Sequence, residues 1–183
     1  MTETRHRIRI VLERMQTNWP DASMSQAGTS IAAQRLGRLL QRTAQDSLKE
    51  TDLTFTEFEV LSALRAQAPP YVLTPSELYD AMLISSGGLT KVLKGLETRG
   101  LVRRSKNTND GRSRPVELSE KGCDVAECAM RNVQSAERPI MDAMEEVRAS
   151  EVALWDMLVT LAEAAEGSVE GADTGNQSDG QVR

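Results

Sequence analysis

A chain of 183 residues is long enough for one domain, or for one lobe with flanking helices, and ample for a core. Its net charge of −5 argues by itself against a nucleic-acid partner, and aromatic residues at 3% leave the core to aliphatic side chains and methionine. No apolar run of about 18 residues exists to span a membrane, Met1 to Arg9 lacks the apolar segment of a signal peptide, and Cys123 and Cys128 make no disulfide framework, so a cytoplasmic location is expected.

Ile8, Val11, Leu12, Met15 and Trp19 follow helical spacing and predict an N-terminal amphipathic helix over 5–18, ended by Trp19-Pro20-Asp21. Residues 20–29 are turn-forming. A long helix over 28–50 follows, with Ile31, Leu36, Leu39, Leu40, Thr43 and Leu48 approximating one stripe; Arg35, Arg38 and Arg42 read as its solvated side. Residues 1–50 therefore read as N-terminal helices for dimerisation and linking. The next helix, from Phe55 to Gln67, starts with a Thr54 cap, a Glu57 capping box and a Leu53–Phe58 staple. Ala68-Pro69-Pro70 breaks it, and Tyr71-Val72-Leu73 predicts a small strand.

Leu73-Thr74-Pro75-Ser76-Glu77-Leu78 repeats the start signal, with Thr74 as N-cap, Pro75 at the first helical position, Glu77 closing the box and Leu73–Leu78 as staple. This helix must stop near Leu83, because Ile84-Ser85-Ser86 starts another, with an Ile84–Leu89 staple if Ser85 caps. Two short helices joined so tightly read as a helix-turn-helix. Leu89, Val92, Leu93 and Leu96 form the second helix's apolar stripe. Ser86, Gly87, Thr90, Lys91 and Lys94 lie off it, small or cationic, a face suited to a DNA major groove.

Gly100 stands where a helix C′ residue belongs. Leu101 to Arg104 and Arg112 to Leu118 then flank a turn at Asn107-Thr108-Asn109-Asp110-Gly111, a hairpin with Arg112 at its tip. Helix-turn-helix plus basic hairpin is a winged helix, placed at 51–118. Residues 85–114 carry eight basic and two acidic side chains, a local charge of +6 on an acidic chain. Such a patch is the electrostatic footprint of a DNA binder. The residues expected to meet double-stranded DNA are Ser85, Ser86, Gly87, Thr90, Lys91, Lys94, Arg104, Asp110, Arg112 and Arg114.

Ser119 caps a further long helix. In it Cys123, Ala126, Met130, Val133, Glu137, Ile140, Met144 and Val147 alternate spacings of three and four, a heptad seam with one acidic interruption. One such seam cannot be buried against a single small lobe, so a partner is expected, with a kink near Pro139. Ser150 starts a last helix, with Leu154, Leu158 and Leu161 on one face beside Trp155. Residues 119–166 read as C-terminal dimerisation helices, since symmetric DNA sites require a two-fold dimer. Residues 167–183 are rich in Gly, Ser, Asp and Gln without periodicity and are expected to be disordered. The fold class is thus mainly α with a small β-hairpin wing, a winged helix-turn-helix flanked by dimerisation helices.

The run Leu53 to Leu61, the Leu73 to Leu78 start, Ser85 to Gly100, Asp110-Gly111-Arg112, Val116 to Ser119 and Gly122 together resemble the MarR family of bacterial transcription regulators. The resemblance covers roughly residues 30–162. It implies a homodimer on pseudo-palindromic DNA, often released by a small aromatic or anionic ligand. It also implies that Arg112 is the wing-tip arginine of the minor groove, with Asp110 orienting it. The N-terminal extension with Trp19 resembles the family's urate-responsive branch, which implies a ligand site of Trp19, Glu59 and Arg104; the branch's second arginine is replaced by Val92. Two other readings stay open: a redox-responsive repressor using Cys123 or Cys128, and a winged helix used only for protein contacts. His6 has no ligand cluster around it, and neither a metal, a cofactor nor an enzymatic constellation is implied.

Overall fold

The structure, a computed structural model, describes residues 7–19, 24–82, 86–104, 114–146, 153 and 156–163. The expected Ser85 cap, the hairpin turn with Asp110 and Arg112, the Ser150 start, Leu154 with Trp155, and the 167–183 tail lie outside the described residues. The chain divides into two compact units, Met1–Glu137 and Arg138–Arg183.

The first unit opens with two helices, α1 (Arg7–Asn18) and α2 (Met24–Ser47), followed by a 3-10 turn at Leu48–Thr51. They pack on each other, with Gly28 on α2 lying against Leu12 of α1. Only the end of this segment enters the core, through Ala44 and Leu48. Of the stripe expected along 28–50, Ile31, Leu40 and Thr43 are half-buried, whereas Leu36 and Leu39 are 37% and 50% exposed, as are Ile10 and Val11 on α1 at 41% and 44%. Asp52 then takes a left-handed φ of 52° and turns the chain into α3 (Phe55–Arg65).

Both helix starts that precede the reading head form as their sequences dictate. The Thr54 amide donates to Glu57 Oε2 at 2.9 Å while Thr54 Oγ1 accepts from the Glu57 amide. α4 (Pro75–Ala81) repeats this with Thr74 and Glu77, at 2.7 Å for the Thr74 amide. The bonds donated by the Thr74 amide and hydroxyl hold the Glu77 carboxyl below its usual range. The staple residues Leu53, Phe58 and Leu78 are buried, fixing how each chain segment enters its helix.

α5 (Ser86–Thr98) buries Leu89, Leu93 and Leu96 against α3 and α4, with Val92 packed at the edge. It ends in a Schellman motif: Leu101 N–H donates to Leu96 O at 2.9 Å and Gly100 N–H to Glu97 O at 3.0 Å. Gly100 supplies the required positive φ of 71°. A three-stranded antiparallel sheet follows, β1 (Val72–Leu73), β3 (Val116–Leu118) and β2 (Val102–Arg104) in that spatial order, with Arg103 opposite Glu117.

α6 (Glu120–Glu146) starts on the Ser119 cap, whose Oγ accepts from the Gly122 amide at 2.9 Å. A Cβ at Gly122 would stand 2.0 Å from the Leu101 carbonyl oxygen, so only glycine lets this helix reach the strand. The helix runs on through Pro139 to Glu146. Of its expected seam, Ala126 and Val133 are buried in the lobe's own core beside Ala129, Cys123 and Glu137 are half-buried, and Met130 is 37% exposed. In the second unit, 156–163 is helical, with Leu158 and Leu161 exposed.

Candidate nucleic-acid interface

The recognition helix keeps its two faces in three dimensions. Thr90, Lys91 and Lys94 are exposed opposite the buried leucines. Among the described residues neither lysine takes part in an ion pair. Ser86 and Gly87 form the first turn of α5, where backbone N–H groups and the helix dipole favour an anion.

The remaining cations of the patch are used differently. Arg99, at the end of α5, donates from Nη1 to Glu57 Oε1 at 3.2 Å and from Nη2 to the Asp52 carbonyl at 2.8 Å. It ties the recognition helix to the start of α3. Arg103 pairs with Glu117 across β2 and β3, which holds the Glu117 carboxyl low. Arg104 donates from Nη1 to the Arg114 carbonyl at 3.1 Å, bracing the base of the wing, and the Arg114 side chain is exposed. The local charge of +6 read along the chain is thus offset by Glu57 and Glu117, which the fold brings in from outside that window. Among the described residues, the unengaged positive charge of the patch lies on Lys91, Lys94 and Arg114.

The three residues expected to hold a ligand stand on separate elements, Trp19 just after α1, Glu59 on α3 and Arg104 on β2. Trp19 is 62% exposed at the end of α1, and Arg104 is occupied in the wing. Glu59, on α3, is half-buried without an ion-pair partner among the described residues, and burial pushes its carboxyl up. A groove of about 400 Å³ opens between α3 and α6, lined by Ser62, Arg65, Ala66, Ala126, Glu127, Met130 and Arg131. Ser62 Oγ is buried there and has no hydrogen-bond partner. Arg65 donates to Glu127 Oε1 from Nε at 3.1 Å and Nη2 at 2.8 Å. Sequence reasoning missed this groove, and the signal available was weak: a serine inside an otherwise apolar helix face. Cys123 is half-buried and Cys128 exposed, on different faces of α6 as their spacing requires. Burial raises the Cys123 thiol pKa, with Arg65 opposing it, which is the reverse of what a reactive thiolate needs. No group of ligands suited to a metal occurs among the described residues.

A helix-turn-helix followed by a two-armed sheet, with an uncommitted cationic face on its second helix, defines a winged-helix DNA-binding protein. The MarR family profile matches residues 51–113. The multiple antibiotic resistance protein MarR of Salmonella typhimurium is 31% identical over 135 residues, 68% of this chain and 88% of that protein. Among solved structures, a MarR variant from E. coli complexed with operator DNA superposes with a TM-score of 0.60 at 25% identity, covering 81% of this chain and 96% of that one. NadR in complex with 4-hydroxyphenylacetate does so at 0.59 and 27% identity, covering 72% and 90%. This chain belongs to the MarR family of winged-helix transcription regulators. It is a DNA-binding regulator, and its relatives are regulators rather than enzymes. No helix among the described residues is long and apolar enough to cross a membrane.

Proposed function

We propose that this protein is a homodimeric repressor that reads a pseudo-palindromic operator and is released by a small aromatic or anionic ligand seated between α3 and α6. The observation that carries the DNA reading is the exposed Lys91 and Lys94 face of α5, which no acidic side chain among the described residues neutralises. The MarR variant solved on operator DNA supports it. The exposed apolar positions Ile10, Val11, Leu36 and Leu39 supply a face for a second copy, and a two-fold dimer is what a symmetric operator demands.

The effector reading rests on the groove. Ser62 stands at the groove wall with a buried hydroxyl that has no hydrogen-bond partner, so a small shift of that side chain toward a polar ligand group would satisfy it. Met130 and two alanines offer an apolar wall, Arg65 and Arg131 two cations against the single Glu127, a balance that suits an anion with an apolar body. NadR's complex with 4-hydroxyphenylacetate is of that chemistry. The test is a selection of duplexes from a random pool, followed by a salt titration of the winner and a ligand panel of hydroxybenzoates and purines. Enrichment of an inverted repeat, with affinity reduced by one class of ligand, is expected. Retention that is neither sequence- nor salt-dependent would overturn the DNA reading, and ligand binding seen by calorimetry without a change in DNA affinity would overturn the release.

A further inference from the structure

We propose that Arg65 couples occupancy of the α3–α6 groove to the wing sheet through the ring of Tyr71, an inference that rests on the groove being the effector site. Arg65 faces three ways. Both of its donors to α6 converge on one oxygen of Glu127. Its guanidinium carbon lies 4.8 Å from the centre of the Tyr71 ring, within the range of a cation–π contact. The same side chain also lines the groove.

Tyr71 is joined to the wing by its backbone. It directly precedes β1, and its carbonyl accepts from the Leu118 amide at 3.1 Å, at the end of β3. β3 is the strand shared by β1 and β2, and β2 and β3 are the two arms of the hairpin. Tyr71 also holds a left-handed φ of 60°. A side chain seldom adopts that conformation unless its surroundings hold it there, and the Arg65 stack is one of the interactions doing so. A guanidinium is planar and rigid, so its edge and its face move together. An anionic ligand bidentate on Arg65 competes with Glu127 for the edge, and turning the edge takes the face off Tyr71. The wing base is then without the stack that steadies the Tyr71 carbonyl toward Leu118.

The test is amide exchange at Leu118 in the full chain, compared for wild type, Glu127→Ala, Tyr71→Leu, Tyr71→Phe and the Glu127→Ala/Tyr71→Leu double variant. Releasing Arg65 by Glu127→Ala should speed Leu118 exchange by roughly threefold or more, while exchange in buried α5 amides stays unchanged. Tyr71→Phe keeps the ring and should match wild type; the double variant should exchange no faster than Tyr71→Leu alone, because in neither does the stack exist. If the two changes multiply independently, or if Glu127→Ala leaves Leu118 exchange as in wild type, Arg65 is not the link. A second arm adds salicylate as the probe. Binding that accelerates Leu118 exchange in wild type but not in Tyr71→Leu supports the coupling, and acceleration in both overturns it. Absence of salicylate binding counts against the effector reading alone, and the ligand-free cycle still decides the role of Arg65.

Discussion

On the proposed reading, Lys91 and Lys94 on one helix face and Arg112 in the wing sequence divide the work of DNA binding. Lys94 projects from the recognition helix, where it is placed for phosphates or guanine edges, whereas Arg112 sits at the hairpin tip in the sequence. Lys94→Ala should weaken binding to all sequences and shallow the salt slope by about one unit for each phosphate left unneutralised. Arg112→Ala should instead cost about 1–3 kcal/mol per half-site and flatten preference only at A·T-rich outer positions. Salt titrations on the selected operator and on a scrambled duplex separate the two; an Arg112 variant with unchanged affinity and preference would remove the wing from the reading head. Glu59 gives a second prediction at this scale. Burial disfavours its charged form, so the folded carboxyl keeps its proton to a higher pH than the reference of 4.5. The folded state then binds more protons than the unfolded one in the window above that value, and stability falls as pH rises through it. Glu59→Gln should therefore raise the melting temperature near neutral pH, with the gain shrinking toward zero below pH 4.5. A gain independent of pH would show that desolvation of the carboxylate is not its source.

Between α5, β2 and α6 the elements are set by one backbone approach. Ser119 and Gly122 hold the start of α6 on the Leu101 carbonyl, and Lys121 donates from Nζ to the Arg99 carbonyl at 3.0 Å. Gly122→Ala collides with backbone rather than with a flexible side chain, so it should destabilise the lobe by about 1–3 kcal/mol. Denaturant melts of this variant beside Gly37→Ala, where a Cβ meets nothing within 4 Å, provide the check; equal stabilities would refute the close approach. The parts of this arrangement that were legible along the chain are those decided within a few residues. The Thr54 and Thr74 boxes, the Gly100 terminus and the Leu89 to Leu96 stripe each depend on neighbours one turn away. What was not legible depends on distant partners: Arg65 meets Glu127 across 62 positions, and Arg99 meets Glu57 across 42. No local pattern shows that Arg99, Arg103 and Arg104 are already committed, or that Ser62 faces a groove. Trp19 and Arg104 entered the ligand site by resemblance, and that resemblance concerned positions whose surroundings the fold had still to decide.

At the scale of the whole molecule, the first unit places its core in the winged lobe and leaves the faces of α1 and α2 largely uncovered. Ile10, Val11, Leu36 and Leu39 lie on the exposed side of those two helices. A second copy burying them gains about 25 cal/mol for each Å² of apolar surface removed from water. Light scattering at micromolar concentration should therefore give the mass of a dimer, and Leu39→Glu should shift it toward monomer while the fold of each lobe persists by circular dichroism. A wild-type monomer would leave the two reading heads unlinked. The uncovered face is also the earliest part of the described fold to leave the ribosome. At about 5–20 residues per second, α1 and α2 wait on the order of ten seconds for the winged lobe to be made. If a second copy covers that face, neighbouring ribosomes on one message bring such faces close together during the wait, which would favour pairing between sister chains over pairing with a related regulator encoded elsewhere.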